Sequence, residues 1–287
     1  MKLIHRSAAV AAVALLALTG LASPAVAGGG GKQTSVIYNS LVGNPLPGNL
    51  PSVGAEAYAF NEFGAQVTFA EGTNRKLTNV VVTMSSWGCV TGSWYGKDCV
   101  TPSGASFSQP LTFNVYGLGA AGALVSIASV TQTFDIPYRP SASTKCVGVN
   151  EGKWWDPSLK TCFNGKAVNV TFNLGSVTVP DTIVYGIAYN TSNFGYTPLG
   201  SVGCPAGGCG YDSLNIALSE NPTNVTVGTT PNNEVWQHSL NAGVYCNGNL
   251  GTGTFRADFG CWGVDAPYTG SPYYVPAVQF KAAGGQS

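Results

Sequence analysis

Trp94 and Tyr95 stand inside the Cys89 to Cys99 interval, Trp154 and Trp155 stand inside the Cys146 to Cys162 interval, and Trp262 directly follows Cys261. An indole or phenol ring has an apolar face and a polar edge. It can stack on the apolar face of a pyranose while neighbouring amides and carboxylates bond the sugar hydroxyls. Holding the ring on a cross-linked loop lowers the ordering cost of binding. These five residues are therefore the candidates for ligand contact, with Tyr268, Tyr273 and Tyr274 close behind in the chain. The alternative is that the rings pack over their own disulfides as small satellite cores. Trp154-Trp155 is the sharper candidate, because adjacent residues on an extended segment point to opposite sides and one ring can stay exposed.

Acid–base chemistry has fewer candidates. Glu151, Asp156, Asp258 and Asp265 are the carboxylates nearest to aromatic residues. A retaining glycosidase needs two carboxyl groups about 5 Å apart, and no strand carries an ExDxE pattern. The acids read instead as turn formers and solvating charges, since Asp156-Pro157 and Asp265-Ala266-Pro267 stand where turns need them. His238 is the only histidine beyond the N-terminal leader, which excludes a two-histidine ligand set within one chain. No G-x-S-x-G elbow accompanies it. It lies in the strand-like run Glu234 to Leu240 and reads as a structural or surface imidazole. Gly117 to Gly122 matches G-x-G-x-x-G, but the β-like run Leu124 to Val130 follows where a phosphate-binding helix would be required, so the glycines read as a hairpin turn. No calcium loop of recognisable spacing is present. No catalytic residue, metal ligand or cofactor is assigned.

Lys2 and Arg6 precede an apolar run from Ala8 to Leu21, and Ala25-Val26-Ala27 follows as a small-residue cleavage site. Residues 1–27 thus read as a secretory signal peptide, 28–34 as a flexible linker and 35–287 as a single β-sandwich domain. No later segment is apolar enough to span a bilayer, and Lys281 to Ser287 carries no hydrophobic sorting stretch, so an extracellular, released protein is expected. Thirteen basic residues balance thirteen acidic ones, and loss of the leader removes Lys2 and Arg6. The resulting slight negative charge argues against nucleic acid or an anionic membrane as partner.

The eight cysteines are Cys89, Cys99, Cys146, Cys162, Cys204, Cys209, Cys246 and Cys261. An even number in an exported chain reads as a set of disulfides. They form four close couples between long strand-rich stretches, so sequential pairing is expected: 89 with 99, 146 with 162, 204 with 209, and 246 with 261. The absence of a CxxC pair argues against zinc.

The elements that must position these loops are strands. In Lys166 to Ser192, Val168, Val170, Phe172 and Leu174 alternate with Asn169, Thr171 and Asn173, the period of a half-buried strand. After Val179-Pro180-Asp181, the run Ile183 to Tyr189 is apolar on both faces, so another layer must lie over it. The pair is expected in the middle of an antiparallel sandwich. Further strands are expected at Ser35 to Ser40, Ala55 to Phe60, Ala65 to Ala70, Lys76 to Trp87, Leu111 to Tyr116, Ala123 to Ile136, Ser213 to Ser219, Glu234 to Leu240, Thr254 to Phe259 and Tyr273 to Lys281. Asn61-Glu62-Phe63-Gly64 reads as the turn between the second and third of these. No sustained helical period occurs. The fold class is all-β, an antiparallel sandwich with disulfide-bridged loops.

The runs Phe134 to Pro140 (FDIPYRP), Val184 to Ser192 (VYGIAYNTS) and Lys76 to Met84 (KLTNVVVTM) resemble segments of secreted actinobacterial β-sandwich proteins of uncharacterised function. The resemblance implies a jelly-roll-like extracellular module and carries no functional residues. The function expected is a secreted, non-catalytic module that recognises a carbohydrate, either a glycan or a cell-wall polysaccharide. A structural surface protein and a secreted polysaccharide hydrolase are the alternatives.

Overall fold

A computed structural model describes residues 34–43, 46, 50–200, 209–248, 251–260 and 273–284. The expected signal peptide, most of the expected linker, Cys204, Cys261, Trp262, Asp265 and Tyr268 lie outside the described residues. Along the chain, β1 (Thr34–Asn39), β2 (Ser52–Gly54) and the short helix α1 (Ala55–Tyr58) lead into β3 (Phe60–Thr68) and β4 (Lys76–Ser86). The hairpin β5 (Ser106–Leu118) and β6 (Leu124–Pro137) follows, then β7 (Trp154–Asp156), β8 (Thr161–Phe163), β9 (Lys166–Thr178) and β10 (Thr182–Ala188). The remaining strands are β11 (Leu214–Asn221), β12 (Glu234–Ser239), β13 (Arg256–Phe259), β14 (Tyr273–Pro276) and β15 (Val278–Ala283).

The strands form an all-β, jelly-roll-like antiparallel sandwich. One sheet runs β1-β15-β4-β11-β14, with β2 added to β11 and β9 added to β4; the other runs β13-β12-β3-β10-β5-β6. The chain crosses repeatedly from sheet to sheet, as between β3 and β4, β4 and β5, β9 and β10, β10 and β11, and β11 and β12, whereas β5 with β6 and β12 with β13 pair within one sheet. Phe113 on β5 and Tyr185 on β10 stack at 5.6 Å, and Phe280 on β15 meets their edges from the opposite sheet at 5.7 and 5.3 Å. Phe172 on β9 reaches Phe113 at 5.4 Å. Each buried ring of this kind stabilises the fold by roughly 1.5–3 kcal/mol relative to exposure.

The strands β9 and β10 do not pair. β9 hydrogen-bonds to β4 along its length, whereas β10 lies between β3 and β5 in the other sheet. The apolar pressure on both faces of β10 is real: its residues from Ile183 to Ala188 are all buried. Only one of those faces meets the opposing sheet; the other is covered by a polar cluster centred on Glu62.

Two expectations for the segment before β4 are corrected. Ala55 to Tyr58 forms a helical turn rather than a strand, closed by Ala59 in the left-handed region at φ 52°. Asn61-Glu62-Phe63-Gly64 is the middle of β3 rather than a turn. Gly64 is there because the sheet needs it: a Cβ at this position would come within 1.7 Å of the Tyr185 carbonyl oxygen on β10. The G-x-G-x-x-G match is a hairpin, with Gly117 and Leu118 paired to Val125 and Leu124.

Disulfides join Cys89 to Cys99 and Cys146 to Cys162, with Cα separations of 5.4 and 6.0 Å. Cys209 and Cys246 are disulfide-bonded as well, and the partners expected for them fall outside the described residues. No helix among the described residues is long and apolar enough to cross a membrane.

Candidate functional site

The first bridged loop builds one wall of a cleft. Asp98 Oδ1 accepts from the Ser93 amide at 2.9 Å, and Ser93 Oγ accepts from the Gly96 amide at 2.9 Å, so the chain between the cysteines is folded back on itself. The reciprocal backbone bonds of Thr91 and Val100, at 3.0 and 2.9 Å, close its base. This tight turn lifts Trp94 and Tyr95 outward, 40% and 71% exposed. Trp94 meets Trp87 edge to face at 4.9 Å, and Tyr95 meets Trp94 in the same manner at 6.0 Å. Trp87 follows the last residue of β4. Its amide donates to Ser213 O at 2.9 Å and its indole N–H to Ser85 Oγ at 3.1 Å, which fixes the platform's foundation to the sheet.

Trp87 and Trp94 line a cleft of about 610 Å³, within the range typical of small-ligand sites. Its polar wall comes from Ser52, Glu56, Asp212, Ser213 and Asn215, which belong to β2, α1, the turn before β11, and β11 itself. Glu56 Oε1 accepts from the Thr191 hydroxyl, and Oε2 lies 3.5 Å from the Asn193 amide nitrogen. Asp212 accepts from the Ser192 amide at 2.7 Å and from the Ser192 hydroxyl at 2.8 Å. Asn215 donates its amide to Ser52 Oγ at 3.0 Å. The arrangement offers an exposed indole, Trp94, beside hydrogen-bonding oxygens, the combination a sugar ring requires.

The other aromatic candidates are not brought to this cleft. Trp154 is only 4% exposed. Its indole N–H donates to Gly165 O at 2.9 Å, Phe163 packs at 5.4 Å and the Lys166 ammonium sits 5.3 Å from its ring centre. Packing over the second bridged loop therefore removes Trp154 as a platform. Trp155 points the other way and is half-buried, with the Lys145 ammonium 5.6 Å from its ring centre. Trp262 lies outside the described residues. Among the described residues the cleft thus draws on Trp94 alone of the tryptophans placed between paired cysteines, and Tyr95 meets Trp94 without lining the cleft.

Of the carboxylates singled out by their aromatic neighbours, Glu151 pairs with Lys97 at 3.4 Å on the surface. Asp156 accepts from the Ser158 amide at 2.8 Å, the Ser158 hydroxyl at 2.6 Å and the Leu159 amide at 3.2 Å. The Ser158 hydroxyl above all holds its carboxyl below the usual range. Asp258 is no turn former. It is fully buried on β13 and accepts from Gln237 Nε2 at 2.7 Å and from the Cys246 and Asn247 amides at 2.9 and 3.1 Å, anchoring the segment that carries Cys246. His238 is buried on β12 opposite Glu62, its ring 5.1 Å from that of Tyr196. Among the described residues no group of three or more His, Cys, Asp or Glu side chains gathers as a metal site would require.

Glu56, Trp87, Asp212 and Asn215 went unmarked in the sequence because the cleft is assembled from distant segments. The one available signal was Trp87, two residues before Cys89 and therefore bound to approach whatever the first bridged loop displays. Comparison with protein-family models, with curated proteins and with solved structures returned no match.

Proposed function

We propose that the protein is an exported bacterial binding module that holds a carbohydrate, a glycan or cell-wall polysaccharide, in the cleft between the Cys89–Cys99 loop and α1, without transforming it. One observation carries this: an exposed indole, Trp94, is braced against a second, Trp87, at a cleft whose far wall is lined with carboxylate, amide and hydroxyl oxygens. Export is supported by the leader-like N-terminus and by disulfides, which persist in oxidising compartments. The test is retention of the oxidised protein on a panel of insoluble polysaccharides and cell-wall preparations. Trp94→Ala should lose retention while Trp155→Ala keeps it. Absence of retention by the unaltered protein on every surface would favour a structural role in which the rings only pack internally.

A second function is favoured by a specific feature, the presence of two carboxylates, Glu56 and Asp212, in the same cleft. A polysaccharide hydrolase uses two such groups as acid and as nucleophile or base. Both carboxylates are already engaged by the chain segment Thr191–Ser192, which suits a fixed recognition wall better than groups that must exchange protons. Release of reducing ends that Glu56→Gln abolishes would reverse this preference.

A further inference from the structure

The chemistry of the cleft wall also bears on which sugars fit. We propose that the cleft selects glycans bearing a protonated amine, of the glucosamine type, over uncharged glycans, and rejects uronic acids. The inference rests on the cleft being a carbohydrate site. Among the described residues its lining carries two carboxylates and no lysine, arginine or histidine. Neither Glu56 nor Asp212 belongs to an ion pair among the described residues, which contain two such pairs, Arg75–Asp181 and Lys97–Glu151. Their partners are all neutral: a hydroxyl and an amide for Glu56, a backbone amide and a hydroxyl for Asp212.

The charge in the hydrogen-bonding capacity left over has one sign, since both ionisable groups of the wall are acceptors. A carboxylate offers about four lone-pair sites, and each of these two has fewer donors than that. Asn215 has committed one of its two amide protons to Ser52 and keeps its carbonyl oxygen and one N–H, and the Trp87 indole proton is given to Ser85. A ligand entering this cleft therefore meets two anionic acceptors, neutral hydroxyl and amide groups, and the exposed Trp94 indole. A sugar ammonium matches that environment as a carrier of three donors and no acceptor, with a charge attracted both by the carboxylates and by the face of a tryptophan. A uronate carboxylate brings acceptors and a charge of the wrong sign.

The experiment is calorimetric titration of the oxidised full chain with three short oligosaccharides of matched length: glucosamine, N-acetylglucosamine and galacturonate, below the amine's pKa. The glucosamine oligomer should bind about tenfold more tightly than its acetylated counterpart, a margin in keeping with one charge-assisted bond and one cation–π contact. The galacturonate oligomer should not bind measurably. Glu56→Gln and Asp212→Asn should each shrink the preference. They keep a carbonyl oxygen for Thr191 and Ser192, and an unchanged unfolding midpoint confirms that the wall stays in place. Asp135→Asn, an exposed carboxylate on β6, should leave the preference intact and so exclude general attraction to an acidic surface. Added salt should narrow the preference in the unaltered protein, which tests the inference without any variant.

Equal binding of the two hexosamine oligomers, lost in Trp94→Ala, would overturn the charge selection and leave the carbohydrate site standing. Tight binding of galacturonate would overturn the selection as well. Binding of no oligosaccharide in a Trp94-dependent manner would remove both.

Discussion

The Tyr196 hydroxyl donates to Glu62 Oε2 at 2.7 Å, so a ring that is 55% exposed on a loop is tied to a carboxylate only 1% exposed in the centre of a sheet. Glu62 Oε1 accepts two more bonds, from Asn114 Nδ2 and the Tyr116 hydroxyl, both at 2.9 Å. These three neutral donors satisfy a carboxylate whose desolvation would otherwise be costly. The same loop is fastened at three more points. The Gly195 amide donates to Asn61 Oδ1 at 3.0 Å, and Thr191 and Ser192 reach Glu56 and Asp212. One connection between β10 and β11 therefore spans from the outer face of the six-stranded sheet to the wall of the cleft.

Tyr196→Phe removes one of these bonds while keeping the ring. A hydrogen bond to a charged group contributes about 1.5–3 kcal/mol when shielded, and water can partly replace this one because the tyrosine is half-exposed. A loss of about 1 kcal/mol is expected, read as a lower urea midpoint with an unchanged slope. No change in midpoint would mean that Glu62 does not hold the loop.

Gly186→Ala should be worse, for a steric reason. A Cβ on Gly186 would lie 1.8 Å from Glu62 Oε1, so the carboxylate must leave its three donors or β10 must shift. Overpacking of this kind costs about 1–3 kcal/mol. The collision is specific, so the double variant Gly186→Ala, Glu62→Ala should be more stable than the sum of the single losses predicts. Strict additivity in that cycle would show that the two residues do not interact.

The Glu62 cluster also marks where the sequence was readable and where it was not. The alternation of β9 and the double-sided apolarity of β10 announced a layered sheet, because strand periodicity follows directly from burial. The letters Asn61-Glu62-Phe63-Gly64 announced a turn for an equally local reason, since polar residues and glycine usually mean solvent. Here Glu62 is buried by residues from three other segments, and Gly64 serves a close strand approach that no local pattern encodes. The first two disulfide couples were legible because their loops are short. Trp94 was legible because it lies inside one of them. Its partners in the cleft were not: Glu56 sits on a helical turn too short to show a period, and Asp212 stands far along the chain from Trp94, just after Cys209.

Buried phenols set the behaviour at high pH. Burial pushes Tyr38 up to about 12 from an ordinary value of 10.0, and pushes Tyr185 and Tyr189 up as well. Tyr116 and Tyr196 are raised first by burial and then by the Glu62 charge. A group raised in the folded state contributes stability that is complete below its unfolded pKa and is lost as pH climbs towards the folded one. Stability should thus be level up to about pH 10 and then fall, by ~1.4 kcal/mol per pH unit for each of the buried Tyr38, Tyr185 and Tyr189. Tyrosinate absorbance from the buried Tyr38, Tyr185 and Tyr189 should appear only as the protein unfolds. Glu62→Gln should move the titration of Tyr116 and Tyr196 down while leaving Tyr38 in place. A single smooth titration of all the phenols, with no loss of structure, would contradict the burial described here.

The Cys89–Cys99 bridge bears most directly on the cleft, because it closes the loop that lifts Trp94 onto Trp87. The bridge spans a sequence separation of 10, for which the chain-entropy model gives about 3 kcal/mol of stabilisation. The backbone bonds of Thr91 and Val100 and the Asp98–Ser93 contact remain after its removal, so the double variant Cys89→Ser, Cys99→Ser should fold with reduced stability rather than fail. Binding should suffer more than folding does. A loop free to sample other conformations must be reordered when ligand arrives, and Trp94 no longer rests in place beforehand. The expected result is weaker retention on polysaccharide at a temperature where circular dichroism shows the sheets intact, together with increased acrylamide quenching of tryptophan fluorescence as Trp94 separates from Trp87. Unchanged retention in a folded, bridge-free variant would show that the disulfide stabilises the fold without organising the cleft.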